Sequence, residues 1–206
     1  MTAYVEPLLV EALIAAPGCP ETIVERALRQ AVVDFYRDTC SWRMTTDVAP
    51  VIRGRYAVEL DLPAATFVTR VYWARLDGKQ LVAISPRNAG QGTGVPKGYA
   101  IDGLSKTLLL DVSPEQSYGR NGLVANVALL PLPELDELPD ELYAVHRDGI
   151  LYGAIARLLA MPNVSWGNLQ DAQVYAQMAE AVKRGARREA ESLQAPVARK
   201  VRYGGI

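Results

Sequence analysis

The sequence predicts an α+β fold: a helical bundle body, an inserted antiparallel β-domain and an extended C-terminal tail. Apolar residues recur every three or four positions near both ends of the chain, which is typical of helices with one buried face. In the middle they alternate with polar residues, and glycine and proline interrupt them, which indicates short strands. The expected boundaries are 1–40 for the N-terminal helices, 41–133 for the β-domain, 134–193 for the C-terminal helices and 194–206 for the tail.

Two helices are expected at the start of the chain. The stretch EPLLVEALIAAPG predicts a short helix that Pro17 and Gly18 stop. A second helix begins at Pro20, because the fixed φ of proline suits the first helical position, and it ends near Thr39. Its apolar residues fall on one face, which we expect to be buried: Val24, Leu28, Ala31 and Phe35.

The middle of the chain reads as about five to seven antiparallel strands. RYAVELDLP alternates as a half-buried strand does, and GLVANVALLPLP supplies the last strand. FVTRVYWARLDGKQLVAIS predicts two strands joined by a tight turn at Asp77-Gly78. GYAIDGLSKTLLLDV predicts a second pair of strands, joined at Asp102-Gly103 by a turn that allows a longer loop.

Two long helices are expected after the β-domain. The first covers about residues 140–160 and carries glycines at 149 and 153, each costing roughly 1 kcal/mol relative to alanine in a helix interior. A neighbouring segment must therefore pack closely against that helix face to compensate for the cost of the two glycines. The last helix starts at the capping residue Asn168, and its stripe is mostly alanine, so its partner must also lie close.

Charge and cysteine content favour no particular partner. The net charge is −1, but it is unevenly distributed: the chain from Lys183 onward carries +5 and the remainder −6. The two cysteines, Cys19 and Cys40, suggest neither a disulfide framework nor a metal site. The sequence has no long apolar run and no basic signal at its start, so we expect synthesis in a reducing cytoplasm and no membrane partner.

Catalytic patterns are missing from the sequence. His146 is the only histidine, and no nucleophile motif accompanies it, so a structural role is expected. The glycine-rich stretch NAGQGTGVPKG lies between strands and is not a phosphate-binding loop, so it predicts a mobile loop. We therefore expect no enzyme activity, no cofactor and no metal. A virion-associated cell-wall hydrolase and a DNA-binding protein that uses the basic last helix stay as alternatives.

Four stretches resemble the head–tail adaptor (connector) proteins of tailed phages, especially short-tailed ones. They are ETIVERALRQAVVDFYRDTCSWR, YAVELDLPAATFVTRVYWARLDGKQL, LPDELYAVHRDGILYGAIARLLAMP and WGNLQDAQVYAQMAEAVKRGARREA. Together they cover most of the chain. The β-region with its glycine-rich loop departs from the family pattern.

The resemblance implies a structural virion protein at the head–tail junction, assembled in the host cytoplasm. Identical subunits form a ring, typically of twelve copies, beneath the portal protein. The ring extends the channel through which genomic DNA passes without sequence-specific binding, and it supports the tail nozzle or tube. Because a ring needs two unlike complementary faces, the small-residue helix faces are candidates for subunit packing: Gly149, Gly153, Ala156, Ala160, Ala179 and Ala186.

The adaptor hypothesis also gives the tail and the glycine-rich loop a role. Residues 194–206 are expected to leave the body and dock on the portal, by strand pairing and by contacts between basic residues and carboxylates. The docking residues would be Pro196, Val197, Arg199, Lys200, Val201, Arg202 and Tyr203. In loop 88–98, contact with the next tail component is expected from Gln91, Thr93 and Lys97.

Overall fold

The computed structural model describes residues 5–103, 105–135 and 138–192. Within these ranges the chain forms four α-helices and eleven strands. The helices are α1 (Val5–Ala15), α2 (Glu21–Thr39), α3 (Asp140–Leu159) and α4 (Leu169–Ser192). The strands are β1 (Arg43–Thr45), β2 (Ala49–Val51), β3 (Ala57–Glu59), β4 (Thr66–Leu76), β5 (Lys79–Gln80), β6 (Val82–Ala83), β7 (Thr93–Gly94), β8 (Gly98–Ile101), β9 (Thr107–Leu110), β10 (Ser113–Pro114) and β11 (Tyr118–Pro131).

Strand β11 is the central strand of the largest sheet. That sheet has the order β1-β11-β4-β5, and β2 pairs with the first half of β11; all of these pairings are antiparallel. The β11–β4 register shifts twice, so both strands bend. A second sheet has the order β3-β9-β8-β6, and β7 pairs with β10 in parallel. The predicted β-region is thus divided into three sheets along the described chain.

The predicted helical bundle body is wrong. The chain is 41% helical and 28% strand, and a large curled antiparallel sheet makes the body sheet-rich. Helix α2 packs directly on β11, and one core cluster includes Phe35 of α2, Val127 of β11 and Ile155 of α3. Alternation in a sequence shows that a strand has one buried face, but it does not show which element covers that face. Here the helices cover it.

The predicted helices, cap and first hairpin turn are confirmed, but the described chain has eleven strands rather than five to seven, and β6–β8 and β7–β10 pair in parallel. Helices α1, α2 and α3 begin and end within a few residues of their predicted limits, and the four predicted core positions of α2 are buried. Asp77 and Gly78 have φ angles of 51° and 72°, as a tight hairpin turn with two left-handed residues requires. The amide groups of Gln170 and Asp171 donate to Asn168 Oδ1, which is the predicted cap of α4.

An aromatic cluster joins the helices to the sheet. The Phe35 ring lies 5.5 Å from Tyr36 and 5.0 Å from His146, measured between centroids. Tyr36 lies 5.7 Å from Trp42, whose carbonyl oxygen accepts a hydrogen bond from the amide of Leu129 in β11. The Phe35–Tyr36 and Tyr36–Trp42 contacts are edge-to-face, and contacts of this kind stabilise by about 0.5–1.5 kcal/mol each beyond the buried area. The cluster therefore fixes α2 and α3 relative to β11.

Gly149 is the point where α3 comes closest to its neighbours. A Cβ atom at this position would lie 2.5 Å from Phe35 Cε2 and 2.9 Å from Val182 Cγ1. We therefore expect Gly149→Ala to destabilise the fold by about 1–2 kcal/mol, because overpacking outweighs the better helix propensity of alanine. Urea unfolding followed by circular dichroism measures the change.

The matched control for this substitution is Gly153→Ala. There the nearest atom, Ala31 Cβ, lies 3.8 Å from the added methyl group, which is ordinary contact. This variant should be as stable as the parent or more stable by about 0.5–1 kcal/mol. Equal effects of the two substitutions would contradict the packing described here.

Candidate functional site

The small residues predicted to pack subunits lie mostly against the chain's own helices. Gly149 contacts α2 and α4, and Gly153 faces Ala31 of α2. Ala179 and Ala186 are buried, Ala156 is half-buried and Ala160 is exposed. The close partner that the glycines and alanines require is therefore supplied within the chain. A role for these six residues between subunits stays a prediction.

Helix α4 carries a second apolar row on the side that faces away from the core. Val174 and Met178 are 51% and 39% exposed, and Ala181 is also exposed. Gly185 continues the row, and a Cβ atom added there would have no neighbour within 4 Å. We call these four residues the α4 outer face. Two exposed arginines, Arg184 and Arg188, border its C-terminal end.

Helix α1 carries a similar row. Val10 and Ile14 are 59% and 76% exposed, and Pro7 and Glu6 precede them on the same side of the helix. We call these four residues the α1 outer face. The opposite side of α1 is buried in the core through Leu8, Leu9, Ala12 and, just after the helix, Ala16. The α1 outer face is thus apolar with one carboxylate at its N-terminal end.

The two outer faces belong to helices that both flank α2 and α3 in the helical layer. Helix α1 packs against α2 and α3, and α4 packs against the same two helices. In the described part of the chain, α1 and α4 do not form a packed pair. Each of these two helices turns its buried side to α2 and α3, so its apolar row lies on a side that α2 and α3 leave exposed.

A basic patch lies on the solvent side of the main sheet. The Arg43 guanidinium stacks 3.9 Å above the Tyr72 ring, and Arg70 lies 5.3 Å from the same ring. Arg75 stacks 4.9 Å from the Trp73 ring. We call these five residues the basic sheet face. Arg43 is held in place because it donates to the carbonyl oxygen of Ala190 at 2.7 Å and to Asn126 Oδ1 at 2.8 Å.

The arginines of the basic sheet face have no carboxylate partner among the described residues. The ion pairs of the described chain lie on the helices, on five cations: Arg29, Arg37, Arg147, Arg157 and Lys183. Lys183 is one of these paired cations. Burial alone would lower the pKa of its ammonium group, but the hydrogen bond and charge of Asp38, helped by Glu180, raise that pKa. Arg70 and Arg75 thus form no ion pair within the described residues, whereas Arg43 is already bound to Ala190 and Asn126.

Cys40 lies beside this basic face without becoming reactive. Burial raises the pKa of its thiol, and the charges of Arg70 and Arg187 offset this only in part. Burial likewise raises the pKa of Tyr72, whose hydroxyl donates to the carbonyl oxygen of Cys40 at 3.2 Å. Both groups are therefore protonated at neutral pH, and the face offers cations and ring surfaces rather than a nucleophile.

The glycine-rich loop predicted to be mobile is tied to its neighbours by hydrogen bonds. The amides of Gly90 and Gln91 donate to the carbonyl oxygens of Leu110 and Asp111 at 2.9 and 2.7 Å. The amide of Lys97 donates to the Asp111 carboxylate at 3.0 Å. The side chains of the three predicted tail-side residues, Gln91, Thr93 and Lys97, are exposed. The predicted portal-docking residues, Pro196 to Tyr203, lie outside the described residues.

The only histidine is part of the core. His146 is 5% exposed and lies against the rings of Phe35 and Tyr36. Cys19 is also buried, and burial raises the pKa of its thiol. In the described ranges no three or more His, Cys, Asp or Glu side chains are grouped so as to hold a metal ion. No described helix is both long and apolar enough to cross a bilayer.

The basic sheet face was missed by the sequence reasoning. Its residues come from β1 and β4, and the pairing of both strands with β11 brings them together. The available signal was the stretch RVYWAR, residues 70–75, in which two arginines flank two aromatic residues.

A search of protein-family profiles gave no match to this sequence, and no curated protein matches it significantly.

The burial of His146 gives the fold a pH dependence. Burial lowers the pKa of His146, and the charge of Glu189 opposes this only partly. The unfolded chain therefore binds this proton more readily than the folded chain, and stability should fall as the pH drops below about 6.5. Urea midpoints measured from about pH 7.5 to about pH 5.5 test this.

The matched variant is His146→Phe, which keeps a ring in the core but cannot titrate. The parent should lose more stability over this pH interval than the variant does. An identical pH dependence in the two proteins would show that His146 does not cause the loss.

Proposed function

We propose that this chain is the head–tail adaptor subunit of a tailed phage. Copies form a ring beneath the portal, and the ring extends the DNA channel and supports the tail nozzle or tube. The observation that carries the proposal is the pair of exposed apolar faces on α1 and α4, which are different in sequence and lie on two helices that both flank α2 and α3. The resemblance of four long stretches to adaptor proteins supports the same function.

Ring formation requires this kind of asymmetry. A ring of identical subunits closes only when each subunit presents two unlike, complementary surfaces to its two neighbours. Single exposed apolar residues are common on any protein surface. Here, however, they form two rows at helical spacing, each on the outer side of a terminal helix, which is the arrangement that a head-to-tail contact needs.

Two other parts of the chain are the proposed contacts with the portal on one side and with the tail on the other. The basic segment 194–206 follows α4 and is the proposed portal-docking tail, in which weak contacts of many copies add up through avidity. The exposed residues Gln91, Thr93 and Lys97 form the proposed tail-side contact. Val82, whose amide donates to the carbonyl oxygen of Lys97 at 2.8 Å, adds an exposed apolar side chain beside them.

Native mass spectrometry of the full chain mixed with its cognate portal ring tests the function. We expect one complex in which several adaptor copies occupy each portal ring, because the ring contacts and the portal contacts reinforce each other. Failure to form any complex, or a single adaptor copy per portal, would contradict the proposal.

Deletion of residues 195–206 tests the docking tail separately. The truncated chain should bind the portal at least ten times more weakly, because every copy loses its basic extended segment. The control is a chain of unchanged length in which the order of residues 195–206 is shuffled, which keeps the charge but changes the positions of Val197 and Val201. Portal binding unaffected by the deletion would end the docking hypothesis.

The basic sheet face favours a second candidate function, binding of DNA through its phosphates. In that case the full chain should bind a short duplex with an affinity that falls steeply with salt, with a log–log slope of about −3 for three phosphate contacts. Arg70→Glu with Arg75→Glu should abolish this binding, whereas Arg53→Glu should have little effect. The adaptor function predicts little affinity for free duplex in all three proteins.

A further inference from the structure

We propose that neighbouring subunits contact each other through the α1 outer face of one copy and the α4 outer face of the next, with the two helices antiparallel. The inference rests on the proposed ring and names its subunit interface. Its partner is a second copy of this chain. Three properties of the two faces support it: the spacing of the apolar residues, the position of the charges, and a glycine that the chain's own packing does not explain.

The apolar residues of the two rows have matching spacing. Val10 and Ile14 are one helical turn apart, and so are Val174 and Met178, which gives roughly 6 Å along each helix axis. An antiparallel arrangement therefore places Ile14 beside Val174 and Val10 beside Met178. All four side chains are between 39% and 76% exposed in the single chain, so the contact would remove substantial apolar surface from water.

The charges distinguish the antiparallel arrangement from the parallel one. Glu6 lies one turn before Val10, roughly 6 Å along α1, and Arg184 lies roughly 9 Å beyond Met178 along α4. The long arginine side chain spans the remaining difference, so Glu6 meets Arg184. A parallel arrangement would place Glu6 near Asp171, which is repulsive.

The charged groups of both faces are available for this contact. Neither Glu6, Arg184 nor Arg188 forms an ion pair among the described residues. Glu11, the other carboxylate of α1, is already paired with Arg147 of α3. The acidic end of the α1 outer face and the basic end of the α4 outer face are therefore complementary, and neither is used in an ion pair with another described residue.

Gly185 points to close approach of another helix. A glycine inside an exposed helix costs roughly 1 kcal/mol relative to alanine, and no atom of the described residues lies within 4 Å of its absent Cβ. The fold itself thus gives no reason for glycine here. With Ala181 one turn before it, Gly185 forms a shallow site on α4, and the antiparallel register sets Pro7 of the neighbouring copy against Ala181, at the N-terminal end of this site.

Disulfide trapping on assembled portal rings tests the interface directly. Chains with Cys40→Ser and Val10→Cys are mixed with chains with Cys40→Ser and Met178→Cys, and the rings are oxidised with diamide. A disulfide-linked heterodimer is expected in high yield. In the matched control, Gln173→Cys replaces Met178→Cys; Gln173 is exposed on a different side of α4, so little product is expected.

The outcomes separate this inference from the proposed function. Rings that assemble on the portal but give equal or no cross-linking in the two mixtures overturn the interface and leave the adaptor function standing. If the wild-type chain forms no ring on the portal, the adaptor function and the interface both fail.

A charge exchange provides a second readout that a general loss of stability cannot imitate. Glu6→Lys and Arg184→Glu should each lower the yield of complete rings at least fivefold, and the double variant should restore it. Glu21→Lys, which changes an exposed carboxylate in the first turn of α2, should have no effect. A double variant no better than either single variant would rule out this pairing.

Discussion

The fold depends most on the close contact of three helices at Gly149. Any side chain larger than hydrogen would collide there with Phe35 and Val182, so α2, α3 and α4 can meet only at this distance. Phe35 also packs on Tyr36, which contacts Trp42 at the start of the sheet. The same contact therefore sets how the helical layer lies on β11 and which side of α4 faces outward. The orientation of the α4 outer face therefore depends on this junction.

Because α4 has two different sides, this alanine-rich helix can pack within the subunit on one side and offer a surface to a neighbouring subunit on the other. Its buried side, which includes Ala172, Ala179 and Ala186, packs against α2 and α3. The outward side keeps larger apolar residues and one glycine, Gly185, that no other described residue approaches. Small residues thus build the subunit, while the residues that remain exposed are the ones available to a neighbour. The basic sheet face is separate from both, because its arginines project from β1 and β4.

The helices and the tight turn could be predicted from the sequence because their signals are local. Proline at the start of α2, the Asn168 cap and the Asp77-Gly78 turn each act within a few residues. The body could not be predicted, because the burial of β11 by α2 depends on contacts between residues about ninety positions apart in the sequence. For the same reason the basic sheet face was missed: strand register, which the sequence leaves open, joins Arg43 to Tyr72.

Hydrogen exchange of the free chain compared with the portal-bound ring tests the central claim most directly. If copies join through their outer helices, amides of α1 and of residues 169–185 should exchange more slowly in the ring, because a neighbouring helix covers both faces. The amides of α2 should change little, since that helix is already covered within the subunit. Slower exchange confined to the sheet, with α1 and α4 unchanged, would contradict the account.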